Sequence, residues 1–128
     1  MSTQKKILII DDDSFLLDMY SLKFSQSGYE VESSLGSVQA YEKLKKGFSP
    51  DLILMDIVMP EMNGFELLEK ISKENLTKDV PIIMLSNRGQ QGDIDQAMKL
   101  GAVGYIVKAN TTPSEVITKV DQIISSKK

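Results

Sequence analysis

The stretch Ile7-Leu8-Ile9-Ile10-Asp11-Asp12-Asp13, four aliphatic residues stopped by three carboxylates, decides how the rest of the chain is read. Three later segments repeat the arrangement. Leu52-Ile53-Leu54-Met55 ends at Asp56, Ile82-Ile83-Met84-Leu85 ends at Ser86, and Tyr105-Ile106-Val107 ends at Lys108. Strands of a parallel sheet are buried on both faces, so they read as near-continuous apolar runs. In open α/β sheets the ligand lies outside the carboxyl ends of the strands. An acidic pair, a single carboxylate, a hydroxyl and an ammonium are therefore expected on one rim, as one site.

Outward from these runs the chain alternates. Strand-like segments near 5–10, 30–34, 51–56, 81–86 and 103–108 are separated by helix-like segments near 14–27, 37–46, 63–74, 92–100 and 113–126. Regular β–α alternation with short connections predicts an α/β fold, a doubly wound five-stranded parallel sheet with five flanking helices. Thr112-Pro113-Ser114-Glu115 places a capping threonine, a first-turn proline and a reaching glutamate in order. Asn63 with Glu66 is a second start signal of the same type, and Asp13 or Ser14 is a candidate cap for the first helix. Gly28, Gly47 and Gly101 stand where helices should stop. Residues 1–4 and 125–128 are expected to fray.

Composition bounds the function. A chain of 128 residues suits one domain. Its net charge of −3 and the lack of a basic stripe speak against direct nucleic-acid binding. There is no cysteine and hence no disulfide framework. The first apolar run is four residues long, too short for a signal peptide or a membrane span, so a cytoplasmic location is expected. Histidine is absent, which excludes histidine acid–base catalysis and any phosphohistidine on this chain.

The acidic residues carry the chemistry. If the first and third strands are neighbours, Asp56 stands beside Asp11 and Asp12. Carboxylates about 4 Å apart repel by roughly 4 kcal/mol at an effective dielectric of 20, so such a group takes up protons or binds a cation. Oxygen ligands favour a hard divalent ion, and Mg²⁺ is content with one or two carboxylates plus phosphate oxygens. Lys108 adds a compact cation and Ser86 a small donor hydroxyl. Each alone would read as a strand-end surface lysine and a loop serine.

The motifs IIDDD, LILMDIVMPEMNG, PIIMLSNRG and GAVGYIVK closely resemble those of the CheY-like receiver domains of two-component response regulators, over essentially the whole chain. The resemblance implies a flavodoxin-like strand order 2-1-3-4-5 and a single receiver domain over 1–128, with no effector domain inside it. It implies Asp56 as phosphoacceptor, a carboxylate nucleophile that forms an acyl phosphate. It implies Mg²⁺, with Mn²⁺ as an alternative, held by Asp11, Asp12, Asp56 and the backbone carbonyl of Val58. Ser86 and Lys108 would bind the phosphoryl oxygens. Phosphoryl transfer relies on positioning and charge stabilisation, which these groups supply. The donor would be a sensor histidine kinase or a histidine phosphotransfer protein, with small acyl or amido phosphates as secondary donors. Apart from its own phosphorylation and dephosphorylation the domain would not be an enzyme.

Three departures from the family pattern matter. Ala109 follows Lys108 where proline is usual. A cis bond before a non-proline residue costs about 3 kcal/mol, so a trans bond is expected. Asn87 replaces a small residue and is expected to crowd the phosphoryl site or hinder loop closure. Val58 and Arg88 occupy positions that tune dephosphorylation. Valine cannot orient a water, while arginine could pair with phosphate, so slow self-dephosphorylation is expected.

Partner surfaces are expected in two places. Phe15 and Leu22 lie on a first helix whose apolar arc is wider than packing on a sheet requires, and they are candidates for docking the kinase. The resemblance assigns the output to the fourth helix, fifth strand and fifth helix, with Tyr105 moving alongside Ser86 in a population shift toward a downstream effector protein or fused output domain. Three rival readings compete with this one. A phosphorylation-deficient docking module is kept open by Ala109 and Asn87. A small Mg-dependent haloacid-dehalogenase-type hydrolase would use Asp11 as nucleophile. An FMN carrier would find three aspartates repelling its phosphate.

Overall fold

The structure, a computed structural model, describes residues 4–126. In chain order the elements are β1 (Lys6–Asp11), α1 (Ser14–Gln26), β2 (Glu30–Leu35), α2 (Ser37–Lys45), β3 (Leu52–Met55), α3 (Gly64–Lys73), β4 (Ile82–Ser86), α4 (Gln91–Lys99), β5 (Gly104–Val107) and α5 (Pro113–Ser126). A single 3₁₀ turn, Lys108–Asn110, joins β5 to α5. All neighbouring strands pair in parallel in the order β2-β1-β3-β4-β5. The alternation and the five strands are those expected. The chain order reverses direction at β1 and β3, which sit side by side at the middle of the sheet, so both carboxyl ends open on the same crevice.

The period-2 alternation of side chains splits each apolar run between two cores. Leu8, Ile10, Ile53, Met55 and Met84 face the layer formed by α2, α3 and α4, where they meet Leu44, Leu67, Leu68 and Ala97. Ile7, Ile9, Leu52, Leu54, Ile83 and Ile106 face α1 and α5, where they meet Leu17, Tyr20, Phe24, Val116 and Val120. Beyond the exposed Lys6 at the start of β1, every residue of β1, β3 and β4 is buried. That burial is what delivers the terminal polar residues to the rim and nowhere else.

Local chemistry fixes the helix ends. Asp13, not Ser14, caps α1, its side chain accepting from the backbone N–H groups of Phe15 (3.0 Å) and Leu16 (3.2 Å). Asn63 and Glu66 close a reciprocal capping box on α3, at 2.9 Å in each direction, and Thr112 and Glu115 do the same for α5 at 3.2 and 2.8 Å. Gly28, Gly47 and Gly101 hold left-handed φ values of 96°, 102° and 108° just beyond α1, α2 and α4. α5 continues through Ser126, so the fraying expected from Ser125 does not begin there. Gln4, also expected to fray, donates from its side chain to the Gly28 carbonyl at 3.1 Å, and residues 1–3 and 127–128 lie outside the described residues. No helix among the described residues is long and apolar enough to cross a membrane.

Candidate functional site

β1 ends on Asp11, and β3 stops at Met55 so that Asp56 is the first residue of the following loop. Because Ile10 pairs with Met55 across the two strands, the two carboxylates emerge side by side. One oxygen each from Asp11, Asp12 and Asp56 can be chosen so that all lie within 4.8 Å of one another. Asp11 and Asp56 are buried, and Asp12 is exposed. The expected acidic group is therefore assembled, two members in the floor and one at the mouth.

Lys108 reaches into it from the end of β5. Its Nζ lies 2.8 Å from Asp11 Oδ2 and 3.3 Å from Asp56 Oδ2, and its side chain is only 9% exposed. That exposure rules out the bland reading of a surface lysine. Burial works against the ammonium, but the bond it donates to Asp11 and the charges of Asp56 and Asp11 together hold its pKa above the ordinary lysine value. The Asp56 carboxyl is pushed above its ordinary value, chiefly by burial; Lys108 opposes this and the charge of Asp11 adds to it. The other oxygen of each acid accepts one backbone bond: Ile57 N–H donates to Asp56 Oδ1 at 2.7 Å, and Asp13 N–H donates to Asp11 Oδ1 at 3.0 Å, leaving lone pairs on both.

The donor set fits a hard divalent cation. Three carboxylates against one ammonium leave a partly buried excess of negative charge, and every candidate ligand is an oxygen. Asp11, Asp12 and Asp56 are the residues that would hold such an ion.

Ser86 ends β4 and is 1% exposed, its Oγ accepting from the N–H of Arg88 at 3.2 Å. Asn87 is exposed and lines an open groove with Arg88 and Asp93, so its side chain does not fill the pocket floor. Tyr105 is half-buried on β5, and its hydroxyl donates to the carbonyl of Arg88. Sequence reasoning placed Tyr105 near this loop but gave its hydroxyl no partner. The Arg88 guanidinium, read from the sequence as able to pair with phosphate, pairs here with Asp93 at 2.7 Å. The Val58 side chain is 57% exposed at the mouth of the crevice. The Lys108–Ala109 peptide is trans, as expected. On α1, Phe15 and Leu22 are 77% and 58% exposed, while Leu17, Tyr20 and Phe24 carry the packing. The wide apolar arc is thus split between core and solvent.

One residue escaped the sequence reading. Gly64 opens α3, and its N–H donates to the carbonyl of Ile57 at 2.7 Å. A Cβ placed there would lie 2.3 Å from the backbone oxygen of Asp56 and 2.9 Å from the Cα of Ile57. The glycine of the Met62-Asn63-Gly64 stretch lets α3 press directly on the loop that presents Asp56. Its position at a helix start was the available signal.

A family model for the response regulator receiver domain matches residues 7–121. The chain belongs to the response regulator receiver domain family. This receiver is 37% identical over 123 residues to the chemotaxis protein CheY of Thermotoga maritima, covering 93% of the chain and 97% of that protein. It is 32% identical over 120 residues to the phosphate regulon transcriptional regulatory protein PhoB of Pseudomonas aeruginosa, covering 94% of the chain. It spans about half (52%) of PhoB's length and 42% of that of the DNA-binding regulator RpaA of Synechocystis. Among solved structures, a CheY-like receiver domain from Methanospirillum hungatei superposes with a TM-score of 0.88 at 31% identity, covering 98% of this chain and 97% of that one. The receiver is thus a two-component signalling domain, and family membership sets aside the hydrolase and FMN-carrier readings.

Proposed function

We propose that Asp56 accepts a phosphoryl group from a histidine kinase or phosphotransfer protein, and that the resulting acyl phosphate switches the surface of α4, β5 and α5 toward a partner protein or fused output domain. The observation that carries this reading is the sharing of one buried ammonium by two acids at neighbouring strand ends, with Lys108 Nζ 2.8 Å from Asp11 and 3.3 Å from Asp56.

In the proposed reaction an Asp56 carboxylate oxygen attacks phosphorus and the phosphorus–nitrogen bond to the donor imidazole breaks. The bonding electrons leave with the imidazole, and a mixed anhydride remains on Asp56. Lys108, already at Asp56, is placed to meet charge on the transferred group, and the Ser86 hydroxyl is a second donor at the next strand end. Asp11 keeps Lys108 in position. Asp12, Asp11, Asp56 and the Val58 carbonyl would hold Mg²⁺ or Mn²⁺, which when bound neutralises phosphoryl and carboxylate charge. The kinase would dock across Phe15 and Leu22, and the proposed place of action is the cytoplasm. Relatives named for chemotaxis and for transcriptional regulation leave two kinds of output, and the output of this chain is among the proposals.

Acetyl phosphate with Mg²⁺ should add one phosphoryl mass to the chain, and chelating the metal should slow that addition by on the order of 100-fold, the scale of one strong electrostatic contribution. Mass spectrometry reads both; equal labelling with and without metal sinks the metal assignment. The adduct should also decay slowly. The valine side chain at position 58 offers no polar atom to a hydrolytic water, so Val58→Asn should hasten decay several-fold, as should Arg88→Glu, which removes a guanidinium able to pair with the phosphoryl oxygens. Decay no faster than the parent's in both variants removes the tuning role.

A further inference from the structure

The loop between β4 and α4 is tied at Arg88 in three directions. Its N–H donates to Ser86 Oγ at 3.2 Å, its carbonyl accepts from the Tyr105 hydroxyl, and its guanidinium holds Asp93. The last tie is two-pronged, Nη2 to Oδ1 at 2.7 Å and Nε to Oδ2 at 3.4 Å. Fork-like pairing of a planar guanidinium with a carboxylate is among the stronger polar contacts, and phosphate oxygens satisfy the same fork. The Asp93 side chain is 13% exposed, so this is not a fully solvated surface pair.

α4 has little else to hold it. Ala97 is its one buried residue, and Gln90 at its N-cap makes no side-chain capping bond. Asp93 is the acid in its first turn, where a negative charge also complements the helix dipole. The groove lined by Asn87, Arg88, Gly89, Gly92 and Asp93 leaves the guanidinium open space on the solvent side. Arg88 therefore joins the Ser86 hydroxyl to the most weakly packed helix through a contact that another anion can take.

Resting on the function proposed above, we infer that Asp93 is a positioning residue. It holds Arg88 off the phosphoacceptor, and a phosphoryl group on Asp56 competes with Asp93 for the same guanidinium. Adduct loss proceeds by water attacking phosphorus. The bond from phosphorus to the Asp56 oxygen breaks, its electrons return to the carboxylate, and inorganic phosphate departs with the protons of the water. An Arg88 fork on the phosphoryl oxygens neutralises the adduct and obstructs that water. While Asp93 keeps Arg88, decay is faster. When Arg88 transfers, the first turn of α4 loses its tie, so the charge on Asp56 is felt on the output face.

The test loads the full chain with acetyl phosphate and Mg²⁺, removes the donor, and follows adduct decay by mass spectrometry. Asp93→Asn should lengthen the adduct lifetime about tenfold, the lower end of what one hydrogen bond to a charged group supplies. Arg88→Gln and the double variant should decay alike, because no guanidinium remains to be released. An unchanged lifetime in Asp93→Asn, or the same lengthening in the Arg88→Gln background, overturns the inference. A second readout needs no phosphate: backbone amide exchange at Arg88 and in the first turn of α4 should quicken in Asp93→Asn and stay as in the parent in Asp95→Asn. Equal exchange in the parent and Asp93→Asn also overturns it. A parent that takes up no phosphoryl group defeats the proposed function instead, and this is visible before any variant is compared.

Discussion

Asp56→Asn should take up no phosphoryl group from acetyl phosphate or from any phosphohistidine donor, while folding at least as stably as the parent. The first half follows from the arrangement of the acids. A carboxamide is no nucleophile, and Asp11 is the worse placed acid, held closer by Lys108 (2.8 Å against 3.3 Å for Asp56) and more deeply buried (3% against 8% exposed). The second half follows from burial. Taking the Asp56 carboxylate out of water next to Asp11 raises its pKa despite Lys108, so folding disfavours the charged form. Its folded-state pKa lies above the unfolded one. The associated stability is therefore present at low pH and is lost as pH rises from the unfolded carboxylate range through the folded value. The carboxamide has no such loss, and Lys108 keeps Asp11 as its partner. In metal-free buffer the Tm of the variant should match the parent's at low pH and exceed it as pH rises through that interval. Retained labelling in the variant sinks the assignment of Asp56. A Tm well below the parent's at neutral pH sinks the account of its burial.

What could be read in the sequence and what could not divide along a physical line. The four runs ending at Asp11, Asp56, Ser86 and Lys108 were legible because two-sided burial leaves strand interiors no polar residues. The polar endings then had only one place to go. Helix ends with side-chain caps, at Asp13, Asn63 and Thr112, were legible because capping works within three or four residues of chain. The strand order came from the family resemblance, since spacing alone does not say that β3 rather than β2 follows β1 toward the centre. Pairings through space left no local trace. Nothing in the four residues between Arg88 and Asp93 distinguishes a guanidinium free for phosphate from one already held. Lys108 read alone as a surface lysine, because the acids that bury it lie 97 and 52 positions away along the chain.

Gly64→Ala is the substitution expected to hurt most outside the acidic group, and it should damage stability and phosphoryl uptake together. The added methyl would stand 2.3 Å from the Asp56 carbonyl oxygen, 2.9 Å from the Ile57 Cα and 2.9 Å from the Met84 Cε. The methionine end can swing aside, but the first two are backbone atoms and cannot. The clash must be relieved by lifting the start of α3 from the loop. That motion stretches the 2.7 Å bond from Gly64 N–H to the Ile57 carbonyl and pulls on Phe65, Leu67 and Leu68, which anchor one of the two cores. Overpacking of this kind costs roughly 2–3 kcal/mol, a fall in Tm on the order of 10 °C for a domain of this size. The loop that must move also carries the Ile57 N–H that orients Asp56 Oδ1 at 2.7 Å, so the folded variant should load acetyl phosphate at least about 10-fold more slowly, misplacement of a reacting group being costly. Helix propensity pulls the other way, since alanine in a helix interior is favoured over glycine by about 1 kcal/mol. A variant as stable as the parent would show that propensity outweighs the clash, and one that is destabilised yet loads at the parent's rate would show that α3 does not position the phosphoacceptor.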